Sequence, residues 1–191
     1  MCFQRAESLI LLREAANRQL YVNFRHRLVV VMIRKASQND FDFIYGLYMH
    51  PQVNPFLLYE MMDAVAFKQI FNELLSDDVL YVYETDDVSA GMFKLVPLKH
   101  RLSHIAYLGG LAIHPSFSGK GHGKIMMQEI LSLGKQLGVL RIDLGVSTIN
   151  TKAIRLYEKA GFEREGVLRK YTHLKSENRF LDDVFMAYFY E

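Results

Sequence analysis

Apolar positions along the chain follow two rhythms. Residues 29–34 form a β-branched run that predicts a strand. After Asn39 and Asp40, suited to cap a helix, Phe41, Ile44, Leu47 and Tyr48 recur at helical spacing. Residues 49–55 hold two of the four prolines and predict a loop. Ala66, Ile70, Phe71 and Leu74 mark the buried side of a second helix over 62–75. Strands are expected at 79–84 and 89–97, joined as a hairpin through Thr85, Asp86 and Asp87. A long strand follows at 104–113, then a helix with Met126, Ile130, Leu133 and Leu137 on one face and Gly138 as its stop. Residues 139–146 make a largely apolar strand. Ala153, Leu156, Tyr157 and Ala160 give the next helix its apolar face, and Gly161 ends it. Residues 166–174 and 180–190 predict two antiparallel strands about a polar turn at 175–178. The order β-α-α-β-β-β-α-β-α-β-β makes a mixed α/β fold, and the passage from 104 to 146 implies a parallel, right-handed βαβ unit.

Composition narrows this picture. The 191 residues are 50% hydrophobic and 23% charged, with no repeat, as expected for one globular domain with a sizeable core. A net charge of +2 points to no dedicated nucleic-acid partner. The longest apolar run, residues 28–33, is too short to cross a bilayer, so no membrane role is expected. Cys2 has no second cysteine to pair with, which fits a reducing cytoplasm. The seven histidines have no metal-ligand spacing, and no metal is expected.

Residues 1–31 differ from the rest: five Arg, two Glu and no Lys. Leu9, Leu12, Ala16 and Leu20 share a helical face, so this stretch is read as an N-terminal extension, helical or outside the native domain, with the functional domain at 32–191. It is no secretory signal, because the apolar core of 8–12 is too short and Arg13 and Glu14 interrupt it.

The candidate chemistry begins where the long strand meets its helix. Gly119, Gly121 and Gly123 alternate with Lys120, His122 and Lys124. Glycines let successive N–H groups point outward, and the helix start adds its own free N–H groups and positive dipole end. Such a loop suits a diphosphate or other polyanion. It is not a Walker A loop, since Ser118 replaces the first glycine and Ile125 the hydroxyl residue; Lys124 spoils a Rossmann reading. Gly109 and Gly110, inside the preceding strand, signal a bulge or a close approach by a ligand.

Two motifs then carry a resemblance. Ser118, Gly121 and Gly123 fall on a signature Arg/Gln-x-x-Gly-x-Gly/Ala. Asn150, Ala153, Leu156, Tyr157, Gly161 and Phe162 complete Asn-x-x-Ala-x-x-Leu-Tyr-x-x-x-Gly-Phe. Separated by a βαβ crossover, they make residues 32–191 resemble the GCN5-related N-acetyltransferases. The ending, residues 166–171 with 181–186, is similar to the bacterial small-molecule and amino-acid branch. The resemblance implies a mostly antiparallel central sheet flanked by helices, with a central βαβ unit that binds acetyl-CoA. Backbone amides of Gly119, Lys120, Gly121, His122, Gly123 and Lys124 would hold its pyrophosphate, with Ser118 standing where the family's pyrophosphate-binding side chain is usually found. Leu111, Ala112 and Ile113 would hydrogen-bond the pantetheine arm and polarise the thioester. Asn150 would contact the cofactor, and Tyr157, two turns along the same helix face, would protonate the departing thiolate. Ser118 departs from the pattern by lacking a long donor.

The implied activity is acetylation of a primary amine by direct attack in a ternary complex, the acceptor being an amino acid, a small amine or a protein N-terminus. The alternative is a CoA-binding sensor or partner-binding module with weak or no catalysis. His104 and Tyr107 are the candidate bases, on opposite faces of a regular strand. Acceptor identity is expected to depend on residues 49–62 and 94–104. The aromatic stretch 185–190 is equally compatible with a homodimer face and with core packing.

Overall fold

A computed structural model of the protein describes residues 19–24 and 27–191. Eight strands form one sheet: β1 (Gln19–Phe24), β2 (Arg27–Lys35), β3 (Leu80–Thr85), β4 (Val88–Pro97), β5 (Ile105–Ile113), β6 (Arg141–Ser147), β7 (Glu163–Leu174) and β8 (Arg179–Phe189). Their order across the sheet is β1-β2-β3-β4-β5-β6-β8-β7. Every neighbouring pair is antiparallel except β5 and β6. Among the described residues, four α-helices flank the sheet: α1 (Phe41–Tyr48), α2 (Ala64–Ser76), α3 (His122–Gln136) and α4 (Thr151–Lys159).

The periodicities anticipate these elements well. Where boundaries move, a cap is the cause: α2 starts after Asp63, whose carboxylate accepts the Ala66 N–H, rather than at Met62. At α1 the cap is wider than Asp40 alone. Asp40 accepts from the Ser37 backbone and hydroxyl at 2.7 and 2.9 Å, and its two oxygens take the Arg34 guanidinium at 2.6 and 2.8 Å. Burial alone would raise this carboxyl, but the Arg34 and Ser37 hydrogen bonds outweigh burial and hold it below the usual carboxylate range.

The N-terminal reading changes. Leu20 lies in β1, an edge strand paired antiparallel with β2, not on a helix, and the boundary at Met32 falls within β2. Leu9, Leu12 and Ala16 lie outside the described residues.

Each face of the sheet carries its own core. Ile142, Leu144 and Val146 of β6, with Val184 and Met186 of β8, meet Met126, Met127 and Ile130 of α3 and Ile154 of α4. On the opposite face, α1 and α2 bring Ile44, Tyr48, Phe67 and Phe71 against Leu80, Val82, Met92 and Ala112. Strand alternation therefore leaves Asp143, Gly145 and Ser147 of β6 and Asp183 of β8 on the α1–α2 side. Val184 and Met186 belong to the first core and Tyr188 and Tyr190 pack against it, the Tyr190 hydroxyl donating to the Leu131 carbonyl at 2.6 Å, whereas Phe185 and Phe189 fall on the other face of β8 and Phe189 is exposed. Among the described residues, no helix is long and apolar enough to cross a membrane.

Candidate active site

β5 and β6 run side by side for only three residue pairs, Ile105 with Arg141, Ala106 with Ile142 and Tyr107 with Asp143. Beyond Tyr107 they part. On its other side β5 stays paired with β4 up to Ile113, through a bulge in which Met92 faces Ala112 but Lys94 faces Gly109. Gly110 sits in that bulge at φ +58°, a left-handed backbone that favours glycine. The anticipated break is thus real, and the β6-facing edge of β5 beyond Tyr107 is left without a strand partner, open to an extended ligand with amide groups.

The Tyr107 hydroxyl reaches across the opening and accepts the Gly145 N–H at 3.2 Å. On the α4 side, Tyr157 packs into the α3–α4 core with the Tyr107 hydroxyl near it. It is 7% exposed, its ring tilts against Phe162 at 5.8 Å, and burial followed by the nearby Tyr107 hydroxyl pushes its pKa well above that of free tyrosine. A phenol so placed stays protonated across the physiological range and is suited to giving its proton to a strongly basic leaving group.

At the C-terminal end of β5 the glycine loop turns into α3. Gly119 and Gly121 take φ +71° and +95°, and Gly121 occupies the position before the first residue of α3, so the loop N–H groups and the helix start converge. A groove runs past them in two connected sections. The narrower, about 290 Å³, is lined by Val53 and Leu57 of the α1–α2 loop, Leu111 and Ile113 of β5, Gly119 and Asn150. The wider, about 920 Å³, continues between α3 and α4 past Gly121, Gly123, Lys124, Lys152, Arg155 and Lys159. Four cations around a run of free N–H groups match a ligand with several phosphates, and the unpartnered strand edge matches its amide-bearing arm. The residues fit coenzyme A.

Most predicted residues meet here. Leu111 and Ile113 line the groove, and Ser118, Gly119, Gly121, Gly123 and Lys124 surround it. Asn150 caps α4, its side-chain oxygen accepting the Ala153 N–H at 3.2 Å, with its amide group at the groove wall. Ala112 is buried against the α1–α2 core, so its backbone alone faces the opening. His122 turns inward: its Nδ1 pairs with the Tyr83 hydroxyl at 3.2 Å and its ring meets Phe117 edge-on, leaving only its backbone to the loop. Ser118 and Lys120 are exposed. His104 is not brought to the site. It is exposed in the turn before β5, where its carbonyl accepts from Leu140 and Arg141, so it lies on the paired side of Tyr107 and not along the open edge.

Sequence reading missed one acidic group. Asp183, 8% exposed, lies beside the opening on the α1–α2 face: a Cβ added at Gly145 would sit 3.8 Å from its Oδ2 and 3.2 Å from the Tyr107 hydroxyl. Oδ2 accepts from Thr172 at 3.3 Å, while Oδ1 is buried without a partner. Burial raises the Asp183 carboxyl, and the Thr172 bond offsets this only in part. β5 itself carries no carboxylate, and Asp183 reaches the opening from two strands away. The paired Asp182 and Asp183 inside an otherwise apolar strand were the available signal.

A sheet that opens beside a glycine loop, with a buried tyrosine at the opening, defines a protein that transfers an acyl group from a thioester of coenzyme A. Residues 41–162 match the acetyltransferase (GNAT) family, and the chain belongs to it. It is 28% identical over 164 residues to the L-amino acid N-acetyltransferase AaaT of Escherichia coli, covering 82% of this chain and 96% of that one. With the spermidine N(1)-acetyltransferase of Vibrio cholerae it shares 26% identity over 141 residues, 71% of this chain and 80% of the other. Among solved structures, spermidine N-acetyltransferase from Vibrio cholerae in complex with CoA and spermine superposes with a TM-score of 0.74 at 22% identity, over 83% of this chain and 95% of that chain. Mycobacterium smegmatis RimJ in complex with CoA-disulfide gives 0.72 at 20% identity, over 84% and 82%. The protein is an acetyl-CoA-dependent N-acetyltransferase acting on amines.

Proposed function

We propose that the acceptor is the primary amine of a small molecule, that it attacks directly while donor and acceptor are both bound, and that Tyr157 and Asp183 handle the two protons. The observation that carries this reading is the opening between β5 and β6, with Tyr157 on one side and Asp183 with Tyr107 on the other.

Acetyl-CoA supplies an acyl carbon activated as a thioester. The protein's own groups do the rest. Loop N–H groups from Gly119 to Gly123, with the Lys124, Lys152, Arg155 and Lys159 side chains, bind the phosphates and fix the position of the arm along β5. A backbone N–H among Leu111, Ala112 and Ile113 polarises the carbonyl oxygen. Asp183 takes a proton from the incoming ammonium group, which frees the nitrogen lone pair to form the new N–C bond. As the C–S bond breaks, its electron pair leaves on sulfur, Tyr157 gives that sulfur its hydroxyl proton, and the second proton that the nitrogen sheds on becoming an amide restores the tyrosine. Tyr107 holds the opening apart through Gly145.

A thiol-release assay with acetyl-CoA and a panel of amines tests this. Turnover on small amines is expected, and Tyr157→Phe should lower kcat about 10²-fold or more with little change in CoA affinity. Tight CoA binding without turnover on any amine would instead favour the sensor reading, to which the exposed Ser118 and its missing long donor already lean.

A further inference from the structure

The phosphate loop is held at its two ends. Ser118, Gly119, Lys120 and Gly121 are all exposed, and a Cβ added at Gly119 would meet no atom within 4 Å. Gly119 and Gly121, both at positive φ, are of the residue type that loses most freedom when a chain is ordered. The entry to the loop is fixed to the sheet by backbone bonds. The His114 N–H donates to the Ala90 carbonyl of β4 at 2.8 Å, and the Phe117 and Ser118 N–H groups close a turn onto the His114 and Pro115 carbonyls at 2.8 and 3.1 Å. The exit is fixed by a side chain. His122, the first residue of α3, is 6% exposed, and its Nδ1 lies 3.2 Å from the Tyr83 hydroxyl of β3.

The same ring joins the two ends to each other. Phe117, the last residue before the loop, meets the His122 ring edge-on, with centroids 5.3 Å apart and planes at 89°. Residues 118–121 therefore form a short exposed loop pinched at its base by one ring pair. That base is fastened to β3 through Tyr83, which is fully buried in the α3–α4 core. The N–H groups of Gly119 to Gly123 have their directions set by contacts that none of them makes. His122 does not line either section of the groove, so its ring acts on a ligand there only through the loop.

We infer that His122 is a positioning residue for the donor: by pinching residues 118–121 against Phe117 and fastening them to Tyr83, its ring holds the loop N–H groups in the arrangement that receives the pyrophosphate. The inference rests on the acetyltransferase reading given above and deepens it. Ordering of this kind acts on binding, because the loop loses its freedom during folding rather than when CoA arrives. It also acts on one part of the donor alone. S-acetylpantetheine keeps the thioester and the amide-bearing arm, has no pyrophosphate, and gives the loop nothing to hold.

The experiment measures kcat and KM for acetyl-CoA and for S-acetylpantetheine, and Kd for CoA by calorimetry, on the full-length protein with a small amine that it accepts. His122→Leu, close in size but unable to pair with Tyr83, should raise KM for acetyl-CoA and Kd for CoA about tenfold. It should leave kcat at saturating acetyl-CoA within about twofold and kcat/KM for S-acetylpantetheine unchanged. Tyr83→Phe, which removes one oxygen, should shift Kd in the same direction by a smaller factor, and the double variant should bind CoA no worse than His122→Leu alone. His122→Asn, whose amide places a polar atom near the position of Nδ1, should recover part of the loss. If His122→Leu does not fold, Tyr83→Phe decides by the same comparison of donors. An unchanged Kd for CoA in these variants, equal losses with both donors, or a fall in kcat at unchanged KM would overturn the inference while leaving the acetyltransferase reading intact. Absence of acetylation on every amine would remove that reading, and the CoA titration, which needs no turnover, would still decide the role of His122.

Discussion

Asp183 has two obligations that pull against each other. To accept a proton from an ammonium group it must hold protons more tightly than an exposed carboxylate does, and burial gives it that property. Below its raised pKa the group is already protonated and cannot serve, so kcat/KM should rise with pH through a limb displaced above the ordinary 3.8 of an aspartate. Asp183→Asn should remove that limb and lower turnover by about 10²-fold; a pH–rate profile with its acid limb unmoved would exclude Asp183 as the base. The same shift acts on stability with a definite sign. A carboxyl whose pKa is higher folded than unfolded binds its proton more tightly in the native state, so stability falls as pH rises through that interval. The neutral asparagine avoids the penalty. Asp183→Asn should therefore melt at a higher temperature than the unaltered protein at pH 7 and lose this advantage in acid, the exchange of stability for activity that a buried functional group imposes.

At the scale of elements, β5 carries most of the design. Gly110 joins its paired half to its open half, and its positive φ and the Tyr48 hydroxyl 2.9 Å from a Cβ both exclude a side chain. Gly110→Ala should cost about 1–2 kcal/mol from the backbone alone, read as a lower denaturation midpoint, with reduced turnover as the opening shifts; a fully stable and active variant would contradict this account of the bulge. Here the limits of the sequence are also visible. Paired glycines inside a strand, a glycine loop before an amphipathic helix, and Asn150 two turns from Tyr157 are local patterns, and local patterns can be read in one dimension. The pairing of β6 with β8 is not local: it sets Ser147 opposite Asp183 and places a carboxylate at the opening from 76 positions beyond Tyr107. His104 illustrates the opposite case, near Tyr107 in sequence yet at the wrong end of β5. The strand at Gln19–Phe24 escaped for a different reason. The Arg-rich, acid-poor composition of residues 1–31 suggested an extension, whereas hairpin pairing of β1 with β2 puts part of that stretch in the sheet.

For the molecule as a whole, the three-pair contact of β5 with β6 means that the sheet consists of two panels, β1 to β5 and β6 to β8, meeting along a short seam. The α3–α4 core spans that seam from one side. From the other, the backbone of Lys175 in the β7–β8 turn donates to Glu60 of the α1–α2 loop at 2.7 Å. Beyond the three pairs, the space between the panels is where the donor's arm would lie. Coenzyme A is then a keystone as well as a reagent, since it supplies bonding the strands do not make to each other. A ligand that binds only the folded chain adds stability as RT ln(1 + [L]/Kd), about 2.7 kcal/mol at a hundredfold excess over Kd. The melting temperature should climb with CoA concentration, and amide exchange should slow most along residues 108–113 and 144–147; a melting temperature indifferent to CoA would refute it. The protein's endurance would then follow the supply of its donor: well-fed conditions would lengthen its working life, and depletion of the acetyl carrier would leave the seam unfilled and the chain easier to unfold.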